Sequence, residues 1–98
     1  MIVSNEPGYY RQGAFGIRIE NLVVVTRADT LPGGDATGKL CFETLNFVPI
    51  DRRLIITSML SQSETNWLNT YHAACRDKIA PLLSEPASMW LHRATAPI

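Results

Sequence analysis

The sequence has no excess of charge of either sign. Nine lysine and arginine residues balance nine aspartate and glutamate residues among its 98 positions, so its formal net charge at pH 7 is zero. Proteins that bind nucleic acids or anionic membranes usually carry clustered Lys and Arg side chains. The balance therefore predicts that the chain binds neither a nucleic acid nor a charged membrane surface.

Long apolar runs and cysteine-rich motifs are also missing. No stretch reaches the roughly 20 apolar residues of a membrane helix, and residues 1–3 do not resemble a signal peptide. The two cysteines, Cys41 and Cys75, lack the C-x-x-C spacing of metal and redox sites. We expect buried thiols in a reducing cytoplasm, with a disulfide between them as the alternative.

The first half of the chain is patterned as β structure. From Ala14 to Arg27, apolar side chains at first alternate with polar ones, as the two faces of a strand do. The continuous apolar run Leu22–Val25 predicts that both faces are covered there. Glycine and proline in Ala28–Lys39 predict a loop. The next strand is expected over Leu40–Ile50, ended by Pro49.

The second half is patterned as helix. Ser61 and Glu64 match a capping box, in which the serine caps a backbone N–H and the glutamate bonds back to the serine N–H. Pro81 is expected to end or bend the helix that follows, and a last helix is expected over Pro86–Ala94. His72 is expected on a helix surface. Apolar positions at helical spacing predict the buried side chains: Trp67, Leu68, Tyr71, Cys75, Ile79 and Leu82, followed in the last helix by Trp90 and Leu91.

Two carboxylates stand out against this pattern. Glu6 precedes Pro7-Gly8, which on its own predicts an exposed turn. Glu20 lies within a predicted strand, where a buried charge is costly unless it is paired or bound to a metal. Arg18, on the same face as Glu20, is expected either to hold a substrate or carboxylate, or to form a simple salt bridge with Glu20 or Glu6. Carboxylates on adjacent strands are oxygen ligands of the kind that hard divalent metals take.

The stretch SNEPGYYRQGAFGIRIENLVVV, residues 4–25, closely resembles the C-terminal part of the Xaa-Pro aminopeptidases, which are metallopeptidases of the pita-bread fold. The resemblance continues through FETLNFVPIDRRLI and the helical tail WLNTYHAACRDKIAPLL. It implies an α+β fold class. Residues 1–50 would form an antiparallel sheet at the C-terminal end of a pita-bread catalytic domain, and residues 51–98 would form a helical C-terminal extension.

The resemblance also implies a site. Glu6, in E-P-G, corresponds to a metal ligand that is the proposed general base, and Glu20, in R-I-E-N, to a ligand that bridges two divalent metal ions, usually Mn²⁺. Arg18 corresponds to an arginine beside the active site, within reach of metal ligands or substrate. Tyr10 is expected either at the mouth of the substrate cleft or packed on the hairpin. The implied reaction removes an N-terminal residue that precedes proline, with the metals polarising the scissile carbonyl and activating water.

Three of the five family ligands, two aspartates and a histidine, lie upstream of E-P-G, and this sequence starts five residues before Glu6. We therefore expect a C-terminal fragment of a cytoplasmic enzyme that is inactive alone. Its expected partners are the missing N-terminal part of the same enzyme and further copies of itself, because strand edges and apolar surface would be exposed. The alternative is a non-catalytic protein-interaction module or a decayed gene product.

Overall fold

The computed structural model describes residues 1–35 and 38–98. These residues form β-strands first and helices second, which agrees with the expected α+β class. The strands are β1 (Ile2–Asn5), β2 (Gly8–Arg11), β3 (Phe15–Arg18), β4 (Asn21–Arg27) and β5 (Leu40–Thr44). The α-helices are α1 (Gln62–Ile79) and α2 (Glu85–Ala94), with short 3₁₀ turns at Arg52–Leu54, Thr57–Met59 and Ala80–Leu82.

Two compact units divide the chain, residues 1–46 and residues 47–98. The strands belong to the first unit and the α-helices to the second. The domain boundary expected between residues 50 and 51 concerns the organisation of a larger enzyme, and it stays a prediction. None of the helices in the described ranges is long and apolar enough to cross a membrane.

In the first unit, β1 pairs antiparallel with β4, and β2 pairs antiparallel with β3. The two pairs share one register. The β1–β4 ladder runs from Ile2 opposite Val24 to Asn5 opposite Asn21. The β2–β3 ladder then begins at Gly8 opposite Arg18, where the same register would place it. A three-residue loop with Gly13 at φ +69° joins β2 to β3, a backbone conformation that glycine adopts without steric cost. β5 pairs with the other edge of β4.

The stretch from Ala14 to Arg27 is therefore two strands, and its prediction as one strand is wrong. Glu20 belongs to neither of them and is exposed, so its expected burial within a strand is also wrong. The expected covering of Leu22–Val25 on both faces is wrong as well: Val23 is buried, but Leu22 is 45% exposed. A continuous apolar run indicates burial, but it cannot show whether this part of the chain supplies the covering layer.

The last predicted strand is shorter than expected, and the preceding loop is only partly described. β5 ends at Thr44, five residues before Pro49, so proline is not what ends it. The loop expected over Ala28–Lys39 lies partly outside the described residues; the Ala28 N–H donates to the Lys39 carbonyl at 2.9 Å. Cys41 is exposed on β5, so its expected burial is wrong, and it lies 3.2 Å from the Thr26 hydroxyl.

The capping box at the start of α1 is confirmed. The Glu64 N–H donates to Ser61 Oγ at 3.3 Å, and the Ser61 N–H donates to Glu64 Oε2 at 2.8 Å. The helix ends at Ile79, and Pro81 lies in the 3₁₀ turn that follows, as expected for a residue without a backbone N–H.

Fewer side chains are buried in the second unit than the apolar pattern predicted. Leu68, Tyr71, Cys75 and Leu91 are buried, whereas Leu82 is exposed, and so are the two tryptophans. Trp67 stacks flat on Tyr71 with ring centroids 5.5 Å apart, so one face of its ring is covered although the side chain is 55% exposed. Trp90 cannot share the inward direction of Leu91, because neighbouring helical residues point about 100° apart.

His72 is fully buried, so its expected place on a helix surface is wrong. It lies four residues after Leu68 and three before Cys75, which puts it on the buried face of α1. Its Nε2 atom accepts the Ile50 backbone N–H at 3.0 Å. Beside it, the Tyr71 hydroxyl donates to the Val48 carbonyl at 2.8 Å. These two bonds hold the segment that precedes the first 3₁₀ turn.

Two arginines and an asparagine hold the end of the chain after α2. Arg52 donates to the Ala96 carbonyl at 2.7 Å and to the Arg93 carbonyl at 2.5 Å, and Arg76 donates to the Thr95 carbonyl. The Asn69 amide both donates to and accepts from the backbone of Ile98. Cationic side chains at the C-terminal end of a helix satisfy its free carbonyls and complement its dipole.

Candidate functional site

Glu6 and Glu20 occupy facing positions where the β1–β4 ladder gives way to the β2–β3 ladder. Asn5 lies opposite Asn21 on one side of this junction, and Gly8 opposite Arg18 on the other. Continuing the shared register through the junction sets Glu6 opposite Glu20. Directly opposed residues of an antiparallel pair extend their side chains to the same face. The register thus predicts that the two carboxylates lie side by side.

Pro7 explains why the ladder is interrupted beside these carboxylates. The Ile19 N–H donates to the Pro7 carbonyl at 3.1 Å. In a regular hydrogen-bonded pair the facing residue would return a second N–H bond, but proline has no N–H to give. The alternate pairs of such a ladder, to which the facing positions of Glu6 and Glu20 belong, bring their side chains closest together.

Gly8 leaves room for two neighbouring side chains. A Cβ atom at this position would lie 3.0 Å from Arg18 Cγ, from the Tyr10 hydroxyl oxygen and from the Ile17 carbonyl oxygen. Such contacts are tighter than ordinary van der Waals separations. The Pro-Gly pair therefore opens the ladder next to Glu6 and lets the Arg18 side chain lie across the hairpin.

Arg18 forms an ion pair with Glu20. Its Nε atom lies 3.2 Å from Glu20 Oε2, and both side chains are about half exposed, at 54% and 47%. This geometry is the simple salt bridge that the sequence left open. Exposed pairs of this kind add about 0–1 kcal/mol to stability, so the pair does more to set the direction of the Glu20 carboxylate than to hold the fold.

Tyr10 lies over Gly16 on the facing strand. A Cβ atom at Gly16 would come within 2.8 Å of Tyr10 Cδ1, so the ring occupies the space that a side chain there would take. Tyr10 is nevertheless 65% exposed. Its neighbour Tyr9 pairs with Phe15, with ring centroids 6.0 Å apart. The packed position of Tyr10 keeps its ring on the same hairpin as Arg18.

The sequence interpretation missed Asn46, which also belongs to this region. Its Oδ1 atom accepts the Leu22 N–H at 2.8 Å and faces Asn21 Nδ2 at 3.5 Å. Asn21 directly follows Glu20 in the chain. The sequence signal was an amide side chain within the strand predicted over Leu40–Ile50, which is too common a feature to identify a role.

The donor chemistry of Glu6 and Glu20 suits a hard divalent cation, which takes carboxylate oxygens. Within residues 1–35 and 38–98, however, no group of three or more His, Cys, Asp or Glu side chains is placed to hold a metal ion. The described residues therefore fit part of a metal site, two oxygen ligands, and further ligands would have to come from elsewhere.

Asp51 and Arg53 form a separate, fully local pair. Arg53 donates from its side chain to both Asp51 oxygens and from its backbone N–H to Oδ1, which caps the Arg52–Leu54 turn. The Arg53 guanidinium lowers the pKa of Asp51 to about 2. The pair is a solvent-exposed turn held by local ion pairing.

Comparison with protein-family models gives two matches. Residues 38–98 match the C-terminal region of peptidase M24, and residues 1–27 match the metallopeptidase family M24. The first match alone covers more than half of the chain. This chain belongs to the M24 metallopeptidases. The family resemblance proposed from E-P-G and R-I-E-N is therefore confirmed.

Curated relatives of this M24 chain carry aminopeptidase names. It is 44% identical over 99 residues to "Aminopeptidase P1" of Lotus japonicus and 48% identical over 99 residues to "Aminopeptidase P2" of Arabidopsis thaliana. The alignments take in 100% of this chain but 15% and 14% of those proteins. The chain thus spans about 15% of the length of the curated relatives it matches.

A solved structure confirms the fold. The crystal structure of X-prolyl aminopeptidase from Caenorhabditis elegans, described as a cytosolic enzyme with a di-nuclear active site, matches with a TM-score of 0.85 and 34% sequence identity. The match covers 99% of this chain and 16% of that chain. The expected α+β class, with strands of a pita-bread domain followed by helices, is confirmed.

Proposed function

We propose that this M24 chain supplies part of the active site of a dinuclear-metal aminopeptidase that removes an N-terminal residue preceding proline. The observation that carries the proposal is the facing register of Glu6 and Glu20, with Arg18 paired to Glu20. Support comes from the similar enzyme with a di-nuclear active site. The remaining ligands would come from the part of the relatives' length that this chain does not span.

In this proposal each of the four residues has its own role. Glu6 and Glu20 would hold the two divalent ions, Mn²⁺ by family resemblance, and these ions supply polarisation of the scissile carbonyl and a lowered pKa for attacking water. The Glu6 carboxylate accepts the proton of that water as general base. Arg18 orients Glu20 through its Nε atom, and its terminal guanidinium nitrogens would donate to a substrate carbonyl. Tyr10 borders the peptide with proline in second position.

The location and the partners follow from the same proposal. The similar nematode enzyme is described as cytosolic, and we propose the cytoplasm for this one. Because this chain supplies two of the five ligands of the family, it would be inactive without the rest of the enzyme, and that rest is its proposed partner.

The test uses the full-length protein that contains this chain. Glu6→Gln keeps the size of the side chain but removes the base, so kcat/KM for an Xaa-Pro peptide should fall by about 100-fold or more. Glu20→Gln should weaken Mn²⁺ binding in calorimetry. Glu43→Gln, an exposed change on β5, is the matched control and should change neither. Full activity and full Mn²⁺ affinity in both site variants would refute the proposal.

A second candidate is an interaction module, favoured by the exposed apolar surface of the first unit. Phe42 is 69% exposed and Ile2 is 65% exposed, each on an outer strand of the three-stranded sheet. Such strands offer unpaired backbone groups and apolar surface to another chain. Sedimentation of the chain decides here: concentration-dependent association supports pairing between copies, and a monomer at high concentration counts against it.

A further inference from the structure

The end of the β4–β5 ladder is closed by a side chain. The Leu45 N–H donates to the Leu22 carbonyl at 2.9 Å. A regular antiparallel pair would return a bond from the Leu22 N–H to the Leu45 carbonyl. Here the Leu22 N–H donates to Asn46 Oδ1 instead, at 2.8 Å. The asparagine amide thus takes the place of a strand carbonyl where β5 has already ended.

This substitute bond lies directly beside the carboxylate pair. Asn46 Oδ1 contacts Asn21 and Leu22, the two residues that follow Glu20. Across the other ladder, Asn21 lies opposite Asn5, which directly precedes Glu6. One amide side chain therefore holds the backbone just after Glu20, in the strand that pairs with the residues leading to Glu6.

The residues before and after Glu20 are held by different interactions. On its N-terminal side, the Ile19 N–H bonds to Pro7 and Arg18 pairs with the carboxylate itself. On its C-terminal side, Leu22 is bonded toward β5 twice, by its N–H to Asn46 Oδ1 and by its carbonyl to the Leu45 N–H. Pro7 has already removed one ladder bond at this junction, so the loss of the Asn46 bond would further loosen the start of β4.

We propose that Asn46 is a positioning residue for the Glu6–Glu20 pair, acting through Asn21 and Leu22. The inference rests on the proposed function, since it concerns the same metal ligands. Mutation of a residue that orients a metal ligand without touching the metal typically lowers metal affinity by about 10–100-fold. A residue that merely closed the end of a sheet would change stability without changing the affinity.

The experiment compares three variants of the full-length protein. Asn46→Ala removes the acceptor, whereas Asn46→Asp keeps an oxygen that can accept the same N–H. Thr26→Val is the matched control, because it removes a side-chain contact to Cys41 at the far end of the same two strands. The readouts are the Mn²⁺ dissociation constant by calorimetry, the separate values of kcat and KM, and the melting temperature.

We expect Asn46→Ala to weaken Mn²⁺ binding by about 10-fold and to lower kcat more than it changes KM. Asn46→Asp should restore most of the affinity. Thr26→Val should lower the melting temperature without changing the dissociation constant. The positioning role is overturned if Asn46→Ala weakens binding no more than Thr26→Val, or if Asn46→Asp is as damaging as Asn46→Ala.

Glu6→Gln and Glu20→Gln, measured alongside, separate the two possible failures. Lost affinity in those two variants with unchanged affinity in Asn46→Ala would refute the positioning role alone. Unchanged affinity in all of them would refute the proposed metal site, and the positioning role with it.

Discussion

His72 accepts the Ile50 backbone N–H at Nε2, at 3.0 Å, although its imidazole is fully buried. An Nε2 atom that accepts a bond leaves the proton of the neutral ring on Nδ1. Within the described ranges, Nδ1 is buried and has no hydrogen-bond partner. Burial lowers the pKa of His72, and the nearby guanidinium groups of Arg52 and Arg76 lower it further. The ring is therefore neutral, and its Nε2 atom accepts the hydrogen bond from the Ile50 N–H.

Replacing His72 by leucine should destabilise the helical unit. Leucine keeps an apolar side chain in the core but leaves the Ile50 N–H without its acceptor, which costs about 1–3 kcal/mol. His72→Gln should lose less, because its amide oxygen can accept the same bond. Urea unfolding of the chain measures the difference. Equal losses in the two variants would show that the hydrogen bond to Ile50 carries no stability.

The same histidine should make stability depend on pH. Its pKa is lowered in the folded chain from the ordinary 6.5, so the unfolded chain takes up the proton more readily. The contribution of His72 to the free energy of unfolding should be complete above about pH 6.5. It should decrease as the pH drops below that value, until the pH passes the pKa of the folded state. Unfolding midpoints between pH 7.5 and pH 5 measure this slope.

His72→Gln is expected to flatten that slope, because glutamine does not titrate. His92→Gln is the matched control, since His92 is exposed in the last turn of α2, and it should leave the slope in place. A slope that survives in His72→Gln would assign the pH dependence to other groups.

Local rules gave the features of this fold that depend on neighbouring residues. The capping box of Ser61 and Glu64 and the end of α1 before Pro81 follow from hydrogen bonds and steric limits within a few positions. The facing of Glu6 and Glu20 was expected from strand alternation and a family motif. The register on either side of the junction is compatible with it, and the interruption at Pro7-Gly8 agrees with the turn that these two residues indicated.

Tertiary packing decided what the sequence left out. The burial of His72 depends on Ile50, which is 22 positions away and supplies a donor for its ring. The position of Glu20 between two strands depends on the bond missing at Pro7, which no hydrophobic pattern registers. The contact of Asn46 with Leu22 likewise spans 24 positions. Pairings of this range are set by the folded chain rather than by local propensity.

Ser61→Ala should destabilise α1 by about 1 kcal/mol, the usual cost of losing an N-cap side chain. Ser84→Ala is the matched control, because Ser84 is the N-cap of α2 but makes no side-chain cap hydrogen bond within the described ranges. Urea unfolding and helical circular dichroism measure both. Equal effects of the two substitutions would mean that the Ser61 cap adds nothing beyond its helix position.

Gly16→Ala should displace the Tyr10 ring. The new methyl group would lie 2.8 Å from Tyr10 Cδ1, so the ring must rotate away or the hairpin must open, at a cost of about 1 kcal/mol. In a Tyr10→Ala background the same substitution should cost much less, because the obstructing ring is gone. Tyr10 ring resonances and a double-mutant cycle test this. An additive cycle would contradict the packing of Tyr10 on Gly16.

The 98-residue chain by itself should not hydrolyse Xaa-Pro peptides and should bind Mn²⁺ weakly. Glu6 and Glu20 supply oxygen ligands, but a manganese ion prefers an octahedral set of them, and the described residues place no third candidate ligand beside the pair. Arg18 already neutralises Glu20 through their 3.2 Å contact, so a cation must compete with a guanidinium for that carboxylate. The isolated chain therefore lacks part of the ligand set, and a guanidinium competes with the metal for one of the ligands that it has.

Calorimetric titration with Mn²⁺ and an assay with a proline-containing dipeptide in excess Mn²⁺ test this expectation, with the full-length enzyme as positive control. Arg18→Gln should strengthen the weak binding of the isolated chain, because it removes the competing cation without removing a ligand, whereas Arg53→Gln, far along the chain and paired with Asp51, should not. Turnover by the isolated chain that disappears in Glu20→Gln would contradict the expectation, since it would mean that copies of this chain assemble a working site from their own residues.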